Sequence, residues 1–391
     1  SGIQMYVDND WVRAKGTTLG ADNGLGVATI MSVLESKDII HPRLEALFTI
    51  DEETGMTGAL KLDENILDGD ILLNLDTEED DEIGIGCAGG VDITINNSLD
   101  TTFKPNLLFI KITLNGLSGG HSGMEIHKNL GNSNKLLNSI INDINESFLI
   151  HISEIDGGGL RNAIPRESSF ILGINDLDFE SIKSQSLKSF NVIKDQFLNT
   201  DPFIKLNIVR LKEGFKIIDV DTQTELINLI GNCPNGVYKM SDNIPGLVET
   251  SNNLANISLK DGNLNIKCLT RSSNESSKEE LKNIIKSLFN NKKYTVDFSG
   301  DYPGWQPNMN SEILSKLVEV YKDLNNTNPN VAACHAGLEC GIIGSHYPNL
   351  DMISFGPTIR GAHSPDERAS IKSTIKFWEF LKEVLLKIPL K

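Results

Sequence analysis

Four short segments carry the residues best able to do chemistry together. They are Gly20-Ala21-Asp22-Asn23-Gly24, Asp51-Glu52-Glu53-Thr54-Gly55, Asn74-Leu75-Asp76, and Gly361-Ala362-His363-Ser364-Pro365-Asp366-Glu367-Arg368. Three of these acidic groups follow segments of strand character. In an α/β sheet, ligands gather outside the carboxyl ends of the strands. Carboxylates converging there repel one another unless a cation stands among them. Several Asp and Glu with one His make a plausible zinc or manganese donor set. The adjacent pair Glu52-Glu53 suggests a division of labour, in which one carboxylate binds metal while its neighbour acts as general base toward a metal-held water. Taken singly, each segment has a plainer reading. Asp22-Asn23-Gly24 can be a turn and helix cap, Glu52-Glu53 a solvated loop, Glu78 to Glu82 a surface run, and His363 a loop residue. Their shared position at strand ends favours metal.

The elements that must position these groups follow from hydrophobic periodicity. Residues 3–7 alternate like an edge strand, and 24–34 carry a helical apolar pattern. Residues 45–50 and 70–75 read as short, nearly all-apolar strands of the buried kind. Near Gly89-Gly90 the character changes. Strands with polar alternation are expected at 91–96, 107–114, 168–174, 205–209, 255–259 and 264–271, with helices at 129–148, 221–230 and 277–290. After Gly300 the α/β character returns, with helices at 311–325 and 371–386 and short strands at 331–334 and 351–355. The expected fold is α/β. Residues 1–90 and 301–391 would form one domain with a mixed, mostly parallel sheet, interrupted by an inserted α+β domain at 91–300.

Composition narrows the function classes. The chain has 391 residues with 36 basic and 53 acidic side chains, a net charge of −17. That argues against a duplex nucleic-acid binder and against an anionic-membrane binder. No apolar run approaches the ~18 residues that span a bilayer. The 5 cysteines are odd in number and include no CxxC pair, which fits free thiols in a reducing, cytoplasmic setting.

The motifs together are more specific than any one. Thr18-Leu-Gly-Ala-Asp22-Asn-Gly, Phe48-Thr-Ile-Asp-Glu52-Glu53-Thr-Gly-Met-Thr-Gly58, Leu73-Asn-Leu-Asp76, Gly119-Gly-His121-Ser-Gly123, Gly157-Gly-Gly-Leu-Arg-Asn162-Ala-Ile-Pro165, His335-Ala-Gly-Leu-Glu339-Cys-Gly341 and Ile359-Arg-Gly-Ala-His363-Ser-Pro-Asp-Glu-Arg368 occur in this order. The chain resembles the dizinc dipeptidases, in the aminoacyl-histidine (Xaa-His) or cytosol non-specific branch, over essentially its whole length. The resemblance implies a zinc-peptidase-like catalytic domain and an inserted lid that mediates homodimerisation. It implies a dipeptide substrate and two zinc ions per subunit, with Mn2+ or Co2+ as alternatives. By position, Asp22 resembles the carboxylate bridging both metals, Glu53 and His363 the other ligands of one metal, and Asp76 a ligand of the second. Glu52 resembles the general base. His121 resembles the residue that stabilises the oxyanion, and Asn162 and Arg271 the groups that hold the substrate carboxylate. His335 and Glu339 are further substrate-side or supporting candidates.

The same family pattern includes an H-x-D motif upstream of the Asp22 segment. None of the 7 histidines here is followed two residues later by Asp. The sequence also opens at Ser1 without Met, so the expectation is a catalytic domain incomplete at its N-terminus. One complete metal site is then expected, with the second lacking its imidazole and activity impaired. Two other readings stay open: an amidohydrolase of the same clan acting on acylated amino acids, and a non-catalytic dimeric binding homologue.

Overall fold

The computed structural model describes residues 2–290 and 293–389. The chain divides into two units, Ser1–Ala88 with Pro303–Lys391, and Gly89–Tyr302.

The first unit is built on a four-stranded mixed sheet in the order Asn330–Cys334, Glu82–Cys87, Asp351–Ser354, Ile71–Asn74. The two outer pairs run parallel, with Asn330 opposite Glu82 and Asp351 opposite Ile71. The central strands meet antiparallel at Ser354 and Gly84. Short apolar runs of this kind suit strands covered on both faces. Helices Glu312–Asn325 and Ile371–Lys387 meet through Tyr321 and Phe380, whose ring centroids lie 5.6 Å apart, and Phe355 beside the sheet lies 5.2 Å from Phe380 and 5.7 Å from Phe377. Each helix begins with a serine, Ser311 or Ser370, whose side chain accepts a backbone N–H of the first turn. A second small sheet orders Met5–Asp8, Trp11–Ala14, Arg368–Ser370 and Ile359–Arg360, bringing the early chain onto the hairpin near the C-terminal end.

One expected element of this unit is absent: residues 45–50 form no strand. Phe48 is 49% exposed and Ile50 73% exposed, so the run is not buried either. The run joins no ladder among the described residues. Ile71–Asn74 is an edge of the sheet, and no other described residue pairs with its open side. An apolar run becomes a buried strand only where a neighbour takes its N–H and C=O groups. Here it lines a groove of about 1220 Å³ that Val27, Leu34, Leu73, Ile343 and Leu385 also face.

The second unit is an antiparallel nine-stranded sheet. Its main path runs Lys205–Leu211, Leu108–Asn115, Ser168–Ile174, His151–Gly158, Val248–Lys260, Asn263–Ser272, Gly89–Ser98, Thr295–Tyr302, with Gly236–Met240 alongside Val248–Lys260. Helices Ser133–Ser147, Phe179–Gln196, Val220–Asn232 and Glu275–Phe289 belong to this unit, and its isoleucine-rich core includes Ile112, Ile140, Ile152, Ile227 and Ile285. Among the described residues, no helix is long and apolar enough to cross a membrane.

Candidate metal centre

The first unit gathers the carboxylates from separate segments. Asp22 lies in the first turn of helix Ala21–Glu35, where Asp22 and Asn23 depart from helical dihedrals. Glu52 and Glu53 head the short helix Glu52–Gly55 rather than following a strand. Asp51, at positive φ of 65°, organises that turn. Its carbonyl accepts from Gly55 N at 3.0 Å and Met56 N at 2.7 Å, and its carboxylate accepts from Thr57 Oγ1 at 2.8 Å and from Thr54 Oγ1. Asp76 follows strand Ile71–Asn74. The close pass of Gly356 helps hold this strand end, since a Cβ on Gly356 would lie 1.9 Å from the Thr77 carbonyl oxygen. His363 sits at positive φ of 61° in the loop between Ile359–Arg360 and Arg368–Ser370.

These segments converge at one imidazole nitrogen. His363 Nε2 lies 2.9 Å from Glu53 Oε2 and 3.0 Å from Asp22 Oδ2. One ligand atom from each of Asp22, Glu53 and His363 falls within 4.8 Å of the other two. Burial alone would depress the His363 pKa, but the charges of Glu53 and Asp22 outweigh it and raise it.

Glu52, Asp76 and Glu339 extend the cluster. The Asp76 carboxyl is pushed up to about 8, first by burial, then by the charges of Asp22 and Glu52, with a hydrogen bond to Asp22 and the charge of Glu339 adding to it. Glu52 is raised by burial and then by Glu53, Glu339 and Asp22. Glu339 is raised by burial, against a 2.6 Å hydrogen bond that Thr49 Oγ1 donates to its Oε2. Its other oxygen, Oε1, is buried without a hydrogen-bond partner. Crowded carboxylates with raised pKa, an orphaned buried oxygen and one imidazole are what a bound cation would relieve. The donor set therefore fits a divalent metal of the zinc or manganese class.

Not every expected residue joins this cluster. His335 is buried just after strand Asn330–Cys334, four positions before Glu339. His121, Asn162 and Arg271 belong to the second unit. There, His121 and Ala163 are paired across a short ladder, and Ser122 N donates to Asn162 O at 2.8 Å. His121 Nδ1 accepts the backbone N–H groups of Gly123 at 3.2 Å and Met124 at 3.0 Å. In the neutral ring the proton then sits on Nε2, which is left as a donor. Burial and the Arg271 charge lower the His121 pKa. Arg271 is buried and donates to Tyr302 Oη at 2.9 Å, while its Nε has no hydrogen-bond partner among the described residues.

Two residues of the first-unit site carried no assigned role in the sequence. Thr49 lies in the misread 45–50 run, and its only mark is its nearness to Glu52. Glu367 sits inside the histidine motif, but nothing in its spacing tells what it holds.

The comparisons with known proteins show the family. The model of peptidase family M20/M25/M40 matches residues 4–387. The cytosol non-specific dipeptidase of Escherichia coli (strain K12) is 41% identical over 390 residues, covering 100% of this chain and 80% of that protein. The crystal structure of aminoacylhistidine dipeptidase from Vibrio alginolyticus superposes with a TM-score of 0.95 at 38% identity, covering 100% of this chain and 80% of that one. Aminopeptidase PepT from Bacillus cereus shares the fold at a TM-score of 0.51 and 14% identity, covering 98% of this chain and 76% of that one. With a family match over nearly its whole length, the chain belongs to peptidase family M20/M25/M40.

Proposed function

We propose that this protein is a metal-dependent dipeptidase whose cation is held by Asp22, Glu53 and His363. The observation that carries the reading is the placement of His363 Nε2 between Glu53 and Asp22 at 2.9 and 3.0 Å, with Glu52 beside them. A bound divalent cation supplies Lewis acidity, polarising the scissile carbonyl and acidifying the attacking water. Glu52 takes the water's proton and passes it to the leaving amine. Its half-buried, charge-crowded position raises its pKa above an ordinary carboxylate and makes it a better base. By the resemblance, His121 is proposed to stabilise the oxyanion, its Nε2–H being the donor. Arg271, with an unpartnered Nε, pairs with the free carboxylate of a dipeptide, and Asn162 assists. His335 supports the substrate side.

The residues of this chain complete one three-ligand site, and zinc is the proposed ion, with manganese or cobalt as replacements. Asp22 and Asp76 are the carboxylates proposed to face a second ion. The name of the E. coli relative supports a cytosolic setting. A homodimer through residues 91–300 completes the proposal.

The test is turnover of β-Ala-His, several ordinary dipeptides and an N-acyl amino acid, each with added zinc, manganese or cobalt. Metal-dependent dipeptide cleavage is expected. Cleavage of the acylated amino acid alone would instead assign a deacylase, and metal-independent cleavage would refute the mechanism. Light scattering during size exclusion tests the dimer, and a monomer mass would remove it.

A further inference from the structure

Glu367 is only 2% exposed, although it is a carboxylate. Among the described residues it has no cationic ion-pair partner, which makes burial costly unless hydrogen bonds compensate. Three do. Gly20 N donates to Oε2 at 2.8 Å, and Ala21 N and Asp22 N donate to Oε1 at 2.8 and 3.1 Å. These are the free N–H groups at the start of helix Ala21–Glu35, where Gly20 offers no side-chain cap of its own. The cap comes from 345 residues away along the chain from Asp22.

Its location joins two parts of the site. Glu367 closes the loop that carries His363, and its own N–H donates to Ser364 O at 3.1 Å. Ser364 Oγ in turn donates to Gly361 O at 2.7 Å, bracing the turn around His363. The next residue, Arg368, starts the strand that pairs with Trp11–Ala14, so the carboxylate projects from a braced hairpin. One side chain therefore fixes the backbone of Asp22 and stands on the loop of His363, whose side chains meet at 3.0 Å.

We propose that Glu367 is a positioning residue for the metal centre: by capping the Gly20–Asp22 backbone from the His363 loop, it sets the spacing between the Asp22 and His363 side chains and so tunes cation affinity. The inference rests on the metal-binding reading above. Two chemical features make it specific. A carboxylate accepts through both oxygens, whereas a Gln amide would present N–H to N–H at one of them. A charged acceptor at a helix N-terminus also interacts favourably with the helix dipole, which a neutral amide does not match.

The test compares the unaltered chain, Glu367→Gln, Glu367→Asp and His363→Ala. Zinc affinity is measured by competition with a chromophoric chelator, and the melting temperature is measured on metal-stripped protein. Glu367→Gln is expected to bind zinc about 10- to 100-fold more weakly, the range seen when groups that orient metal ligands are removed, with Glu367→Asp between it and the unaltered chain. Unchanged affinity in Glu367→Gln, while His363→Ala loses binding, would overturn the role of Glu367 and leave the metal reading standing. A lowered stripped-state melting temperature with unchanged affinity would likewise assign Glu367 to stability alone. Absence of zinc binding in the unaltered chain would overturn the metal reading itself and this inference with it. Should Glu367→Gln fail to fold, Glu367→Asp is read against the same outcomes, because it keeps both oxygens and only retracts them by one methylene.

Discussion

The two units of this chain treat their ionisable side chains differently. The second unit packs an isoleucine-rich core, and some of its buried polar groups gather several partners. Asn132 caps its helix and also donates to Asn235 and to the Leu254 carbonyl, and Lys135 Nζ donates to the carbonyls of Ile230, Gly231 and Cys233. In the first unit, carboxylates are crowded together, and Asp76 is pushed up to about 8 by burial and then by the charges of Asp22 and Glu52. The imidazoles show the contrast most clearly. His151 is lowered by burial and then by the neighbouring Lys104, whereas His363 is raised because Glu53 and Asp22 overcome its burial. The second unit is organised by packing, and the site of the first by carboxylates crowded about one imidazole. Local electrostatics that packing alone leaves unfavourable mark where function resides.

The largest effect that would sharpen this contrast is at the shared imidazole. His363→Ala is expected to abolish tight metal binding and turnover together, as read by metal analysis and dipeptide hydrolysis. Retained turnover would break the comparison. Next, Glu52→Gln is expected to lower kcat by about 10²- to 10⁴-fold, the usual contribution of a general base, with metal content unchanged. Loss of metal along with activity would recast Glu52 as a ligand.

A third pair probes packing directly. Ile112, fully buried in the second unit, should cost about 2–5 kcal/mol when replaced by Ala, read by denaturant unfolding. Phe48→Ala in the first unit should cost well under half of that, since half of the ring already faces solvent. Equal costs would erase the distinction between the units. The smallest effect concerns pH. Because the native pKa of His151 is depressed below 6.5, the unfolded chain gains a proton that the native state resists as pH falls. The stability this group contributes is present above 6.5 and lost as pH drops through its native pKa. His151→Gln should flatten the acid limb of stability against pH, and an unchanged limb would remove His151 from the account.

Much of this was legible in the sequence, for physical reasons that differ by residue. Glu53 could be singled out because its acidic cluster follows an apolar run, Asp22 because its cluster precedes a helical one, and His363 because it sits in a motif that resembles the dizinc dipeptidases. The helices at 133–147 and 312–325 were legible because their apolar faces repeat with helical period. Helix Phe179–Gln196 was not, because its buried face includes Ser186 and Ser189, the latter donating to Asp143 at 2.5 Å. The 45–50 run was misread because its composition records a preference for burial, while strand formation depends on a partner that no composition shows. Glu367 stayed silent because its partners are backbone N–H groups, which every residue carries and no spacing reveals.

The most direct test of the central claim is to count metal by native mass spectrometry after zinc loading and extensive dialysis. The account predicts tightly held zinc in the unaltered chain and loss of the ion held by Asp22, Glu53 and His363 in His363→Ala. No tightly held zinc in the unaltered chain, or an unchanged zinc count in His363→Ala, would contradict it.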